Sequence, residues 1–212
     1  KSGYASDEER QKALGEMGTD ILREGVTLLK NDDSALPLSK NAKISVFGQD
    51  SVDPVYGGGG AGSIDTSKAE TLLGAFKDAG FDVNPTLTDL YTKGAGKDYR
   101  KTSTDAYGKG EFAVNEVPAS KYTDDVKKSF SEYDDAAVVV IGRSGSESQD
   151  LPTGKLASGY TYLQLDDNER AMLKMASGNF DKVVVLLNTQ NPMEPAELDD
   201  DSIDAVLWIG SL

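Results

Sequence analysis

The chain has 212 residues, of which 36 are Asp or Glu and 22 are Lys or Arg, so its formal net charge at neutral pH is −14. This charge argues against nucleic acid and anionic membrane surfaces as partners, and no run of about 18 apolar residues is present to cross a bilayer. The absence of Cys and His excludes disulfides, thiol nucleophiles, a serine–histidine–aspartate triad and zinc sites built on those residues.

The first predicted element is a long amphipathic helix over residues 7–30. Ser6 and Glu9 have the spacing of a capping box. Apolar residues then recur at helical spacing, at Leu14, Met17, Ile21, Leu22, Val26 and Leu29. Glycines within the stretch lower its helix propensity, so we expect tertiary packing to hold this helix in place.

Apolar strands and helices alternate through the rest of the chain. Strands are predicted at residues 43–47, 81–83, 136–141, 182–187 and 203–209. The last three are almost continuously apolar, which is typical of strands buried on both faces of a parallel sheet. Helices are predicted at residues 66–79, 85–91 and 166–177, the first capped by Asp65 and the last by Asp166 with Glu169. This alternation predicts an α/β fold with a mostly parallel sheet flanked by helices on both faces.

We expect one domain over residues 1–212, interrupted by a surface insertion. Residues 93–119 hold glycines among Lys, Asp, Thr and Tyr without a sustained hydrophobic period, which indicates a surface segment that is partly ordered at best. The last apolar strand lies almost at Leu212. A sheet seldom ends with its most apolar strand at the terminus, so we expect the domain to be incomplete at its C-terminal end and part of a longer chain.

A glycine-rich loop follows the first parallel strand, where α/β sheets bind their ligands. Gly57, Gly59 and Gly62 match G-x-G-x-x-G, and Asp82 lies about twenty residues further on, as in a dinucleotide fingerprint. However, residues 49–56 separate the strand from the glycines, and the next helix begins after them. Three interpretations stay open: a nucleotide site, a flexible loop without a ligand, and a substrate-facing loop whose backbone closes on a bulky polar ligand, formed by Tyr56, Gly57, Gly58, Gly59 and Gly60.

Candidate acid–base residues lie in the loop after residue 141. Because the chain has neither His nor Cys, such chemistry must come from carboxylates, Lys or Tyr. Glu147 or Asp150 can act as a general acid once a closing partner removes it from water, and the alternative is a solvated loop carboxylate. Arg143, at the strand end, either binds a substrate oxygen or pairs with a neighbouring carboxylate.

Aromatic and acidic residues elsewhere receive simpler interpretations. Tyr160 and Tyr162 either stack on a sugar ring or cover the core. Trp208 lies inside an apolar strand and is expected in the core. The acidic run at residues 199–201 reads as a solvated turn, and calcium is the weaker alternative because no EF-hand spacing follows.

Several segments, in chain order, carry a resemblance to a known family. They read REGVTLLKN at residues 23–31, KISVFG at 43–48, YGGGGAGS at 56–63, VVVIGR at 138–143, VVVLLN at 183–188 and AVLW at 205–208. The chain resembles the α/β sandwich domain of family 3 glycoside hydrolases, which include many β-glucosidases and β-xylosidases. The resemblance covers nearly the whole chain except residues 93–119.

The resemblance implies a domain of a retaining β-glycosidase that hydrolyses terminal non-reducing β-linked sugars without a cofactor or metal. In this family a nucleophilic Asp on a separate barrel domain works with a Glu on the sandwich domain, which acts as acid and then as base. Glu147 matches that Glu, and Asp150 and Arg143 are candidate supporting residues. Ser146 and Ser148 stand where the family often has glycines.

The expected partners are a carbohydrate substrate and a barrel domain of the same parent chain. Because the nucleophile is not in this chain, the resemblance implies that the isolated chain is inactive. Two alternatives stay open: a non-catalytic carbohydrate-binding or interaction module of the same fold, and a nucleotide-binding α/β domain that uses residues 57–62. The sequence suits the cytoplasm and the cell exterior equally.

Overall fold

A six-stranded sheet organises the part of the chain that the computed structural model describes, residues 3–105, 107–194 and 196–212. The strands are β1 (Thr27–Asn31), β2 (Lys43–Phe47), β3 (Asp82–Val83), β4 (Ala136–Arg143), β5 (Val183–Thr189) and β6 (Ala205–Trp208). Their order is β1-β6-β5-β4-β2-β3, and all neighbours are parallel except β1 and β6. The α-helices are α1 (Asp7–Gly25), α2 (Leu72–Asp78), α3 (Pro85–Thr92), α4 (Asp124–Ser129) and α5 (Asp167–Ser177). The predicted α/β class is confirmed.

Two apolar cores lie on opposite faces of the sheet because successive strand residues point to opposite sides. Every residue of β4 and of β5 is buried, which explains why these strands read as continuous apolar runs. On one face Val139 and Ile141 pack with residues of α3, α4 and α5. On the other face Val138 and Val140 pack with Leu73 of α2.

Polar side chains set where the helices begin. Asp166 accepts hydrogen bonds from the backbone of Asn168 and Glu169, and the Glu169 side chain accepts one from the Asp166 backbone, so the predicted capping box of α5 is confirmed. The predicted helix at residues 66–79 is shorter. Asp65 caps only a 3₁₀ turn, and α2 begins later, capped by Thr71.

The first helix ends earlier than predicted. It ends at Gly25, and residues 27–31 form β1, antiparallel to β6. The prediction over residues 7–30 is wrong there because the apolar spacing fits both a helix and an edge strand, and Thr27 follows the β-branched Val26. No described residue of α1 is buried, and the helix exposes 47% of Leu14, 55% of Met17 and 64% of Ile21. Among the described residues, no helix has both the length and the apolar character that a bilayer span requires.

Of the segment predicted as a surface insertion, residues 93–119, the described residues up to 111 are mostly exposed, but residues 112–117 contribute to the core. Ala106 lies outside the described residues. Thr102 and Ala113 exchange backbone hydrogen bonds of 2.9 and 3.0 Å. Phe112, Val114, Glu116 and Val117 are buried, whereas Asn115 between them is exposed. Burial here comes from isolated apolar residues in an irregular backbone, which leave no periodic signal.

Candidate active site at the carboxyl edge of the sheet

Three loops meet beyond the carboxyl ends of β2, β4 and β5. We name residues 56–63 the glycine loop and residues 144–150 the carboxylate loop. The backbone N–H of Gly59 donates to the Gly145 carbonyl oxygen at 3.0 Å. From the loop after β5, the Gln190 side chain accepts a hydrogen bond from the Gly145 N–H at 2.9 Å. Because neighbouring parallel strands end at the same edge, segments distant in sequence form one site.

Glu147 lies exposed on the carboxylate loop, against the glycine loop. Its Oε2 accepts a hydrogen bond of 2.6 Å from the backbone N–H of Ala61. Its own N–H donates to the carbonyl oxygen of Gly59 at 3.2 Å. The next residue, Ser148, has φ of 60°, a backbone conformation that favours glycine. Asp150, the other candidate acid, is also exposed.

Arg143 is fully buried and makes an ion pair with Glu169 of α5. Its Nη1 and Nη2 lie 2.7 and 2.8 Å from the two Glu169 carboxylate oxygens. Its Nε donates to the Tyr162 carbonyl oxygen at 2.6 Å, and Nη2 also donates to that of Gln164 at 2.9 Å. Of the two roles considered for Arg143, the structure shows pairing with a neighbouring carboxylate.

A second buried charged group supports the end of β4 from the side of β2. Asp50 Oδ2 accepts a hydrogen bond from the Gly142 N–H at 2.8 Å, and Lys101 Nζ lies 3.0 Å from Asp50 Oδ1. A Cβ atom at Gly142 would lie 2.2 Å from that oxygen, so the site requires glycine. Burial raises the pKa of Asp50, and the Lys101 ammonium opposes that rise.

Glu116 is a further buried carboxyl group, which the sequence did not single out. It accepts hydrogen bonds from the backbone N–H groups of Gln49 and Val117, at 3.0 and 2.8 Å. Burial first, and then the nearby Asp50 carboxylate, raise the pKa of Glu116 well above its ordinary value. Glu116 and Lys101 both belong to the segment predicted as a surface insertion, and nothing in its pattern pointed to them.

The aromatic candidates take different positions. Tyr162 is buried, and its hydroxyl accepts a hydrogen bond from the Ser144 N–H and donates one to the Ser144 carbonyl oxygen, both at 3.0 Å, so it supports the carboxylate loop. Tyr160 packs its ring under Arg170.

Trp208 was expected in the core, but 38% of it is exposed because it ends β6. It borders a cavity of about 410 Å³ with Leu29 and other residues.

In the described residues, the glycine loop lacks the geometry of a nucleotide site, and the carboxylates are not grouped as metal ligands. The N–H groups of Gly59 and Ala61 are taken by the carboxylate loop, so they do not face a pyrophosphate. The helix that a dinucleotide fingerprint places directly after the glycines begins only at Leu72. Within the described residues, no three carboxylates are grouped to hold a metal ion. In the acidic run, Asp200 accepts a hydrogen bond from the Ser202 N–H.

Comparison with known proteins decides the family. The family model described as "Glycosyl hydrolase family 3 C-terminal domain" matches residues 26–212. This chain belongs to glycosyl hydrolase family 3. The matched range begins immediately before β1 and contains the whole sheet, the glycine loop and the carboxylate loop. Helix α1 precedes it.

Relatives of this family 3 domain are named as beta-glucosidases. One from Ruminococcus albus is 32% identical over 195 residues, covering 92% of this chain and 20% of that protein. The structure of beta-glucosidase 3B from Thermotoga neapolitana with alpha-D-glucose has a TM-score of 0.77 at 28% identity, covering 97% of this chain and 28% of that one. A beta-glucosidase structure from Paenibacillus barengoltzii has a TM-score of 0.75 at 25% identity, covering 92% and 21%. The chain thus spans between 20% and 28% of the length of these relatives.

Proposed function

We propose that this chain is the acid/base domain of a retaining β-glycosidase of the β-glucosidase type, with Glu147 as the acid/base. The observation that carries the proposal is the placement of Glu147 at the carboxyl edge of β4. The Ala61 N–H binds one carboxylate oxygen, and the side chain is exposed, so the other oxygen is available to a ligand. Membership of family 3 and the names of the relatives support the substrate class.

The proposed chemistry has two steps. In the first, protonated Glu147 donates its proton to the glycosidic oxygen while a carboxylate outside this chain attacks the anomeric carbon, and the bond between that carbon and the leaving oxygen breaks. In the second, ionised Glu147 takes a proton from water, which hydrolyses the glycosyl–enzyme ester. A retaining pair of this kind needs its carboxyl groups about 5 Å apart.

We propose that the second carboxylate lies on a barrel domain of the parent chain, and that the isolated chain is inactive. The short span relative to the relatives supports this. So does α1, whose apolar side chains pack against no buried core among the described residues and would be covered by the additional domain. The purified chain should release no aryl alcohol from an activated aryl β-glucoside, and rapid hydrolysis would contradict this part of the proposal.

Azide rescue in the parent enzyme tests the role of Glu147. We expect Glu147→Ala to lower turnover of 2,4-dinitrophenyl β-glucoside, because the water-activating base is lost. Azide, which needs no base, should restore turnover and yield a β-glucosyl azide. Asp150→Ala is the matched variant, since it removes an exposed carboxylate from the same loop. Rescue of Asp150→Ala instead would move the assignment to Asp150, and full activity of both variants would favour the non-catalytic binding module.

A further inference from the structure

The glycine loop and the carboxylate loop are joined by consecutive backbone contacts. The Gly59 N–H donates to Gly145, and the Gly59 carbonyl oxygen accepts from the Glu147 N–H, at 3.0 and 3.2 Å. One residue further on, the Ala61 N–H donates to Glu147 Oε2 at 2.6 Å. Gly59 and Ser146 thus form a short parallel β-bridge. The glycine loop therefore binds the segment that carries Glu147.

Glycine is needed at residue 59 for space. Gly59 has φ of −71° and ψ of 166°, which any residue adopts. A Cβ atom there would lie 2.5 Å from Ser146 Oγ and 3.0 Å from the Thr104 carbonyl oxygen. Ser146 Oγ is buried and has no hydrogen-bond partner among the described residues. The two loops therefore approach so closely that a methyl group cannot enter without displacing Ser146, the neighbour of Glu147.

We infer that Gly59 and Ala61 are positioning residues that determine where Glu147 holds its proton. This inference rests on the acid/base role proposed above. Because the Ala61 N–H is a donor, Oε2 remains the accepting oxygen when Glu147 is ionised and when it is protonated. The proton is carried by Oε1, which donates it to the leaving oxygen in the first step and takes one from water in the second. The close contact at Gly59 keeps the carboxylate loop at the distance that this arrangement requires.

Steric variants of the parent enzyme test the inference. Gly59→Ala introduces the clash, and Ser146→Gly removes the Oγ and Cβ atoms that Gly59→Ala would strike. The double variant Gly59→Ala/Ser146→Gly should therefore lose less acid catalysis than Gly59→Ala alone. Gly154→Ala is the control, since the same change in an exposed loop meets nothing within 4 Å.

The readout separates acid catalysis from folding. Methyl β-glucoside needs its leaving oxygen protonated, whereas 2,4-dinitrophenyl β-glucoside has a leaving group that departs without a proton. General acid catalysis contributes about 10²–10⁴-fold, and a misplacement of about 1 Å can remove about 10²-fold. We expect Gly59→Ala to lower the ratio of kcat/KM for the methyl over the dinitrophenyl substrate by at least about tenfold. Gly154→Ala should leave the ratio unchanged, and Ser146→Gly provides the reference value for the double variant. The double variant should regain part of the ratio that Gly59→Ala loses, and it should stay below the Ser146→Gly value because of the 3.0 Å contact with the Thr104 carbonyl oxygen.

Equal losses on both substrates, an unchanged ratio, or a lack of recovery in the double variant would overturn the inference. If Gly59→Ala does not fold, the comparison of Ser146→Gly with the double variant decides. A displacement of a few tenths of an ångström then predicts a roughly fourfold lower ratio, and an equal ratio overturns the inference. Glu147→Ala is assayed in parallel: lack of azide rescue refutes the acid/base role itself, whereas rescue together with an unchanged Gly59→Ala ratio refutes only the positioning.

Discussion

The buried ion pair between Arg143 and Glu169 gives the sharpest prediction for stability. Arg143 is 0% exposed and Glu169 is 1% exposed. The guanidinium has five N–H donors, and five oxygens within 2.9 Å accept them: two from Glu169 and the carbonyl oxygens of Gly142, Tyr162 and Gln164. This one side chain joins the end of β4, the start of α5 and the segment before it. Glu169→Ala removes the charge that compensates the guanidinium and leaves it buried.

The expected loss is large because a buried charge is left unpaired. Breaking a buried pair by removing one partner costs about 3–5 kcal/mol, and Glu169→Ala also removes the side-chain half of the α5 capping box. Arg143→Met should lose a similar amount, since it leaves Glu169 buried without its cation. In Arg143→Met/Glu169→Leu no charge is left behind, so the loss should fall short of the sum of the single losses by at least about 2 kcal/mol.

Urea unfolding of the chain at pH 7 measures these losses, with far-UV circular dichroism as the probe. Arg170 and Glu197 provide the matched control, because that ion pair is 2.5 Å long but its side chains are 33% and 38% exposed. Glu197→Ala should cost less than about 1 kcal/mol. If Glu169→Ala costs no more than Glu197→Ala, or if the double variant shows the sum of the single losses, the argument from the buried charge is refuted.

Three further variants test the groups around the same strand end. Burial raises the pKa of Glu116, so at pH values above about 4.5, the ordinary value for Glu, the folded chain keeps a proton that the unfolded chain has lost. The free energy of unfolding should therefore fall as the pH rises above that value. Glu116→Gln should flatten this fall between pH 5 and pH 8 in urea titrations, and an unchanged slope would contradict it. Gly142→Ala, with its Cβ 2.2 Å from Asp50 Oδ1, should cost about 1–3 kcal/mol in the same assay, and a loss within about 0.5 kcal/mol would show that the carboxylate moves freely. Tyr162→Phe leaves the buried Ser144 N–H unpaired, while the Ser144 carbonyl oxygen keeps its hydrogen bond from the Asn191 side chain. It should cost about 1–3 kcal/mol, whereas a neutral result would mean that water replaces the hydroxyl.

The sequence predicts the strands of the sheet correctly where all of their residues are buried. Every residue of β4 and of β5 is buried, so a continuous apolar run was the expected signature, and the parallel arrangement followed from it. Strand β1 was missed because it is an edge strand whose pairing with β6 involves residues about 180 positions away. Local periodicity holds no information about such a partner, and the spacing of Leu22, Val26 and Leu29 continued the helix equally well.

The sequence predicts the loops of the candidate site but not the buried residues that support them. The glycine loop and Glu147 lie in the segments that follow β2 and β4, and the topology of a parallel sheet brings such segments together. Their supports come from residues whose relevance depends on three-dimensional contact. Glu169 read as a helix-capping residue, and Lys101 as part of a surface insertion, yet both compensate buried charges at the end of β4. For Arg143 the sequence left two roles open, and only its burial distinguishes them.

The two buried charge pairs explain how a loop of small residues can hold a carboxylate in place. Residues 144–148 contain only Ser, Gly and Glu, which supply little apolar surface for packing, so the loop cannot order itself by burial. Below it, Asp50 binds the Gly142 N–H and Glu169 binds Arg143, so the last two residues of β4 are held by charged groups on both sides. Buried charges of this kind tolerate little displacement, because longer hydrogen bonds compensate the desolvation of the charge less well. Under the role proposed for Glu147, variants of these supporting pairs should therefore lower the ratio of kcat/KM for the methyl over the dinitrophenyl substrate, as is expected for Gly59→Ala.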